Sequence, residues 1–156
     1  MSIERARAHL SKWNAENRIR EFEVSSATVE LAALALGVDE ARIAKTLSFK
    51  VHDEPVLIVM AGDARLDNAK FKAQFGTKAK MLAGPEVEPL IGHGVGGVCP
   101  FGVNPGVAVY LDRSLQRFDT VFPAAGTGNS AVELTCGELE TISGGAWIDV
   151  GKLPER

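Results

Sequence analysis

Between residues 46 and 60 the chain changes period, and that change limits the folds open to it. Thr46-Leu47-Ser48-Phe49-Lys50-Val51 alternates, and Val56-Leu57-Ile58-Val59-Met60 is continuously apolar. His52-Asp53-Glu54-Pro55 separates the two runs. Alternation marks a strand with one face on a core, and a short unbroken apolar run bounded by a turn marks a strand buried on both faces. Together they predict a β-hairpin whose second strand is central.

Upstream the apolar spacing is helical. Ile3, Ala6, Leu10 and Trp13 draw one stripe behind a candidate N-cap at Ser2. Leu31, Leu34 and Ala35 are expected to face inward on a second helix between a Thr28 cap and Gly37. Asp39 is placed to cap a third short helix, with Ile43 and Ala44 preceding Lys45. Phe22 and Val24 alternate with Glu21 and Glu23 as a short strand. Downstream of the hairpin, Asp67 starts a helix carrying Phe71 and Phe75, and Pro85 starts another that stops at Gly92. Met81-Leu82 is at most a short strand, and further strands are expected at 107–111, 120–122, 131–134 and 147–150. Helices early and hairpin-spaced strands late predict an α+β fold with a mixed, partly closed sheet.

Length supports one domain, since 156 residues suffice for a single core. Residues 152–156 read as a flexible tail. Seventeen Lys+Arg against twenty Asp+Glu give a charge of −3, which excludes bulk-charge nucleic-acid binding of the histone kind and leaves room for a local basic patch. Cys99 and Cys136 form no CxxC pair, and no His/Asp/Glu cluster has ligand spacing, so no metal or cofactor is expected. The N-terminal stretch has no apolar run of signal-peptide type, and residues 55–61 are far short of the ~20 a membrane span needs. A cytoplasmic, non-membrane protein is the expectation.

The segment most suggestive of chemistry is 92–106, Gly-His-Gly-Val-Gly-Gly-Val-Cys-Pro-Phe-Gly-Val-Asn-Pro-Gly. It is either a long structural turn or a stiff loop that presents backbone N–H groups to an oxyanion. Its Gly92-x-Gly94-x-x-Gly97 follows a predicted helix, so it fails the context test for dinucleotide binding. Lys45 lies between apolar neighbours, where a lysine either snorkels or serves a buried anion. Cys99 with His93 reads as a thiol and base or as buried packing. His9 and His52 read as surface residues. Arg65, Lys70, Lys72, Lys78 and Lys80 form the densest basic stretch, either a solvated face or a landing strip for a polyanion backbone. Gly126-Thr127-Gly128-Asn129-Ser130 is a second glycine turn, either a plain connection or the far side of a pocket.

Taken together, Ile43-Ala44-Lys45-Thr46-Leu47-Ser48-Phe49, Ala61-Gly62-Asp63-Ala64-Arg65, the glycine loop with Gly96-x-x-x-Pro100, and 126–134 resemble the YbaK/ProX family of aminoacyl-tRNA editing domains. That family is related to the insertion domain of bacterial prolyl-tRNA synthetase. The resemblance implies a single editing domain over residues 1–151 with a mixed, mostly antiparallel, barrel-like sheet. It also implies hydrolysis, in trans, of the ester joining a wrong amino acid to a tRNA 3′ end.

By resemblance, Lys45 matches the essential lysine, and Gly96, Gly97 and Pro100 belong to the catalytic loop. Thr28, His93, Val98, Cys99, Phe101, Gly102, Gly126, Asn129 and Ser130 are the expected substrate contacts. Arg65, Lys70, Lys72, Lys78 and Lys80 are the expected contacts to the tRNA backbone. The implied partners are the 3′-CCA end of a mischarged tRNA, with tRNA-Pro foremost, and a prolyl-tRNA synthetase. Several relatives carry Ser where this chain has Cys99, which leaves the amino acid removed (Cys, Ala, Ser, Thr or other) open. Two alternatives stand beside this: a catalytically weak or inactive tRNA- or synthetase-binding module of the same fold, and a cysteine-dependent redox or hydrolytic enzyme built on His93 and Cys99.

Overall fold

The computed structural model describes residues 2–154. Helix α1 (Ser2–Ser11) leads through a 3-10 turn (Glu16–Arg18) into the short strand β1 (Ile19–Glu21). Helix α2 (Val29–Leu36) follows, then a 3-10 turn (Glu40–Arg42) and the hairpin of β2 (Ile43–Val51) and β3 (Glu54–Ala61). Next come β4 (Arg65–Leu66), α3 (Asn68–Phe75) and α4 (Gly84–Ile91). The last third holds β5 (Ala108–Asp112), a 3-10 segment (Arg113–Arg117), β6 (Thr120–Pro123), β7 (Ser130–Val132), β8 (Leu134–Thr135), α5 (Cys136–Ser143), β9 (Ala146–Ile148) and β10 (Gly151–Lys152).

The hairpin is the spine. It pairs antiparallel from Ala44↔Ala61 to Val51↔Glu54, and His52 and Asp53 close it at φ 49° and 64°. Both turn residues are left-handed, the geometry that suits the right-handed twist of the flanking strands. A six-stranded sheet grows outward in the order β8-β6-β2-β3-β5-β9. Its β2/β6, β3/β5 and β5/β9 pairs are parallel, while β2/β3 and β6/β8 are antiparallel. Two antiparallel ribbons, β1/β7 and β4/β10, complete a mixed α+β domain. Residues 56–61 of β3 are all buried, as the unbroken apolar run requires. An aromatic chain of Phe49, Phe71, Phe75 and Tyr110, with centroids 4.6 to 5.2 Å apart, fastens α3 to the sheet. No helix among the described residues is long and apolar enough to cross a membrane.

Several expectations change. Helix α2 packs on Ile43 and Phe122 through Ala32 and Ala33, and Leu34 is left 80% exposed. Small residues let the helix approach the strand closely, which leaves Leu31 and Leu34 facing outward while Leu36 still packs on the cluster. Helix α1 ends at Ser11, so Trp13 leaves the stripe and stacks half-exposed on His9 at 5.6 Å. The Ser2 side chain, expected as a cap, lies outside the described residues.

The short strand expected around Phe22 and Val24 ends at Glu21, opposite Ser130 where its antiparallel partner β7 begins; Val24 is exposed. Asp39 caps a 3-10 turn, not a helix, and Ile43 and Ala44 already belong to β2. The run 131–134 splits at Glu133, because β7 pairs with β1 and β8 with β6. Helix α5 (Cys136–Ser143) lies where the sequence pattern predicts no element. Its Thr135 accepts from Glu138 N while the Glu138 carboxylate accepts from Thr135 N, a capping box written in the sequence as T-x-x-E. Lys152, expected in the tail, pairs with Arg65.

Candidate active site

A cleft of about 470 Å³ opens where β2, the start of α2, the glycine loop and β7 converge. From β2 it receives Lys45, from α2 Thr28 and Val29, from the loop Val95, Gly96 and Val98, and from β7 Ser130 and Ala131. Lys45 sits inside the strand, not at a helix–strand seam, and is half-buried. Its Nζ donates to Gly62 O at 3.3 Å and to Ala64 O at 2.5 Å. An ammonium has three N–H donors, so one is left for a ligand. Burial pulls the Lys45 pKa below its ordinary value, while Asp63 and Glu30 pull it back up and Arg65 adds to the fall.

The loop wall is held by backbone and by helix α1. Gly97 N donates to Gly94 O at 3.0 Å, so this amide closes a turn and is unavailable to a substrate. Among the described residues, the amides of Gly96 and Val98, both on the cleft, donate to no other protein atom. Gly97 lies flat against the second glycine turn: a Cβ there would stand 2.6 Å from Gly126 O and 2.7 Å from Thr127 Cα. Only glycine permits that approach.

Arg5 donates to Gly92 O at 3.1 Å and to Asn104 Oδ1 at 2.9 Å. His9 accepts from Gly102 N at 2.7 Å through Nδ1, and its Nε2 lies 2.6 Å from Ile142 O. A carbonyl can only accept, so His9 carries its proton on Nε2 and bridges the loop to α5. His9 is therefore not the surface residue expected. Neither Arg5 nor His9 was singled out for the loop. Their spacing of four on α1 was visible, but no local rule connects it to residues ninety positions away.

The sequence-predicted residues divide by position. Lys45, Gly96, Val98, Thr28 and Ser130 meet at the cleft, although the Thr28 hydroxyl is already engaged as the α2 cap, accepting from Leu31 N. His93, Cys99, Pro100 and Phe101 are buried behind it. Gly97 and Gly126 back onto a neighbouring hollow with Arg5 and Glu88. Gly102 is tied to His9, and Asn129 is exposed, holding Phe22 O at 3.0 Å.

The thiol fares poorly as a nucleophile. Burial pushes the Cys99 pKa up to about 12. None of Arg65, Lys70, Lys72, Lys78 and Lys80 lines the cleft. Lys70 is bound to Asp149 at 3.0 Å and to Gly151 O at 2.9 Å, beside Arg113 and Arg117, whereas Arg65, Lys72, Lys78 and Lys80 are exposed. Among the described residues no three His, Cys, Asp or Glu side chains gather as a metal site would require.

The aminoacyl-tRNA editing domain model matches residues 23–142, which span α2, the hairpin, the glycine loop and most of α5. The chain belongs to this family. The activity of such domains is hydrolytic editing of mischarged aminoacyl-tRNA. This editing domain is 54% identical over 154 residues to YwhH of Bacillus subtilis (strain 168), an uncharacterized protein, covering 97% of this chain and 98% of that one. It is 29% identical over 127 residues to proline–tRNA ligase of Streptococcus equi subsp. equi (strain 4047), covering 80% of this chain but 20% of the ligase. A crystal structure described as that of a candidate trans-editing enzyme for prolyl-tRNA synthetase superposes with a TM-score of 0.88 at 29% identity, over 97% of both chains.

Proposed function

We propose that this editing domain acts in trans on mischarged tRNA-Pro, hydrolysing the ester between a small non-cognate amino acid and the 3′-terminal adenosine. The observation that carries the reading is that Lys45 lines one cleft together with Gly96 and Val98, whose amides donate to no other atom among the described residues. The cleft, at about 470 Å³, has the size of a small-molecule site. The likeness to prolyl-tRNA ligases and to a candidate trans-editing enzyme supports the choice of tRNA and of a prolyl-tRNA synthetase as partner.

The chemistry asks little of side chains. An aminoacyl ester is already activated, so a positioned carbonyl, donors for its developing oxyanion and a nearby water or substrate 2′-hydroxyl suffice. The loop amides supply the donors, and the third Lys45 N–H supplies a cationic contact to the ester carbonyl or the terminal phosphate. A protein nucleophile is not required, and the buried, neutral Cys99 thiol does not provide one.

The test is a deacylation panel: tRNA-Pro charged with Ala, Cys, Ser or Thr, beside cognate Pro-tRNA-Pro. At least one mischarged ester is expected to be cleared at a rate well above the enzyme-free control, with the cognate ester spared. No deacylation of any of them with protein in excess over tRNA defeats the proposal. Tight tRNA or synthetase binding without turnover selects the inactive binding module instead.

A further inference from the structure

We propose that Asp63 and Arg117 are positioning residues for Lys45, locking the turn whose carbonyls seat its ammonium. The inference rests on the editing role proposed above for Lys45. The segment Ala61-Gly62-Asp63-Ala64-Arg65 is part of the family resemblance, yet none of its residues lines the cleft. It acts through its backbone: the carbonyls on either side of Asp63, those of Gly62 and Ala64, are the two acceptors of Lys45 Nζ.

Asp63 is gripped from the far side of the chain. Arg117 Nη1 donates to Asp63 Oδ2 at 3.1 Å and Nη2 to Oδ1 at 2.5 Å, a two-bond fork between side chains 28% and 23% exposed. The grip holds the Asp63 carboxyl below its ordinary pKa. Arg117 is itself fixed, since its Nε donates to Ser114 O at 2.8 Å and its guanidinium stands 4.8 Å from the Phe118 ring centroid. Ser114, in the same 3-10 segment, accepts through Oγ from Ala61 N at 3.1 Å. One rigid element thus anchors the turn at both Ala61 and Asp63. A third restraint comes from Gly62, where a Cβ would stand 2.1 Å from Glu40 O, so the turn is pressed against the approach to β2.

A lysine needs such a seat. Its ammonium rides on a four-carbon stem with many rotamers, and a strand fixes only the Cα. Two fixed carbonyls select one rotamer and leave one N–H for the cleft. If the turn relaxes, the charge survives but loses its place, and a displacement of about 1 Å costs heavily in rate. A lysine at position 117 cannot rebuild the fork, because an ammonium is a point donor. The charged groups acting on Lys45 are Asp63, Glu30 and Arg65. Asp63 therefore affects Lys45 both through the seat and through its charge, and two variants separate these.

The experiment uses the full chain and a mischarged ester that the wild type clears. It measures kcat and KM against pH, and it follows the Lys45 titration by NMR on lysine-labelled protein. Arg117→Gln, which keeps the Asp63 charge, is expected to lower kcat about tenfold with KM within about twofold, without lowering the Lys45 midpoint. Arg117→Lys is expected to recover less than half of that loss. Asp63→Asn is expected to lower kcat by at least as much and to move both the Lys45 midpoint and the alkaline limb of the rate to lower pH. Unchanged kcat in Arg117→Gln overturns the inference, as does a loss that merely tracks the melting temperature. A wild type inactive on every ester defeats the proposed function instead. In that case the NMR arm still decides, because a Lys45 side-chain signal unmoved in folded Arg117→Gln, where the Asp63 charge is kept, overturns the positioning role by itself.

Discussion

The two walls of the cleft hold their functional groups by opposite means. On the β2 wall, Lys45 hangs from a strand hydrogen-bonded to β3 along its length, over residues 56–61 that are wholly buried. On the loop wall, Gly96 and Val98 belong to no ladder. That wall is fixed by Arg5 and His9 from α1, by His93 on Phe101 O, and by Gly97 lying against the Gly126 turn. A strand sets a Cα and leaves the side chain to be seated separately. A glycine loop sets amides directly, but only while side chains stay out. Removing atoms should therefore hurt function on the first wall, and adding atoms should hurt it on the second.

Lys45→Ala gives the largest expected effect. The β2/β3 ladder stays and the ammonium goes, so deacylation should fall by about 10³-fold, as when a key oxyanion-stabilising donor is lost. The melting temperature should fall by several degrees, since the hydrogen bonds to Gly62 O and Ala64 O are lost while the strand ladder is untouched. A loss below tenfold, in a panel where the wild type is active, would remove Lys45 from the reaction.

Gly97→Ala comes next and breaks the comparison from the other side. The added methyl would meet backbone atoms of Gly126 and Thr127, which have no rotamer with which to yield. The two glycine turns must part, carrying the Gly96 and Val98 amides with them. We expect kcat/KM to fall by about 10²-fold, with a lower melting temperature than Lys45→Ala. If Gly97→Ala melts and turns over like the wild type, the loop wall is not a rigid cradle.

What the sequence revealed follows the same division. The hairpin and its buried second strand were legible because periods of two and unbroken apolar runs are local signals. Lys45 and the 96–100 loop stood out through residue type and family resemblance, and both do reach the cleft region. The inward face of α2 was not legible. Spacing alone cannot say whether Leu31 and Leu34 or Ala32 and Ala33 meet the sheet, and the choice depends on how closely the helix approaches Phe122. The ties from Arg5 and His9 to the loop, and from Arg117 to Asp63, join residues 54 to 99 positions apart, beyond any window of pattern. The sequence also grouped Lys70 with the exposed lysines because it cannot show that Asp149 and Gly151 occupy it.

The smallest expected effect concerns Cys99, buried behind the loop wall. Its Sγ lies 3.5 Å from His93 Nε2, which looks like a nucleophile and its base. The proton count argues otherwise. His93 Nε2 is 2.5 Å from Phe101 O, and a carbonyl only accepts, so Nε2 carries the hydrogen and has no lone pair for the thiol. The unprotonated nitrogen is Nδ1, which is buried and has no hydrogen-bond partner among the described residues. Burial also pulls the His93 pKa down, keeping the ring neutral. Thiol and imidazole are thus a packed pair behind the loop, both fully buried. Cys99→Ala should cost about 1 kcal/mol of stability through the small void it leaves, and turnover should stay within about threefold of wild type. Iodoacetamide should leave Cys99 unmodified until the protein unfolds. Loss of turnover in a folded Cys99→Ala variant, or rapid alkylation of Cys99 with parallel inactivation, would return the thiol to the mechanism and make the loop wall a source of side-chain chemistry as well as of amides.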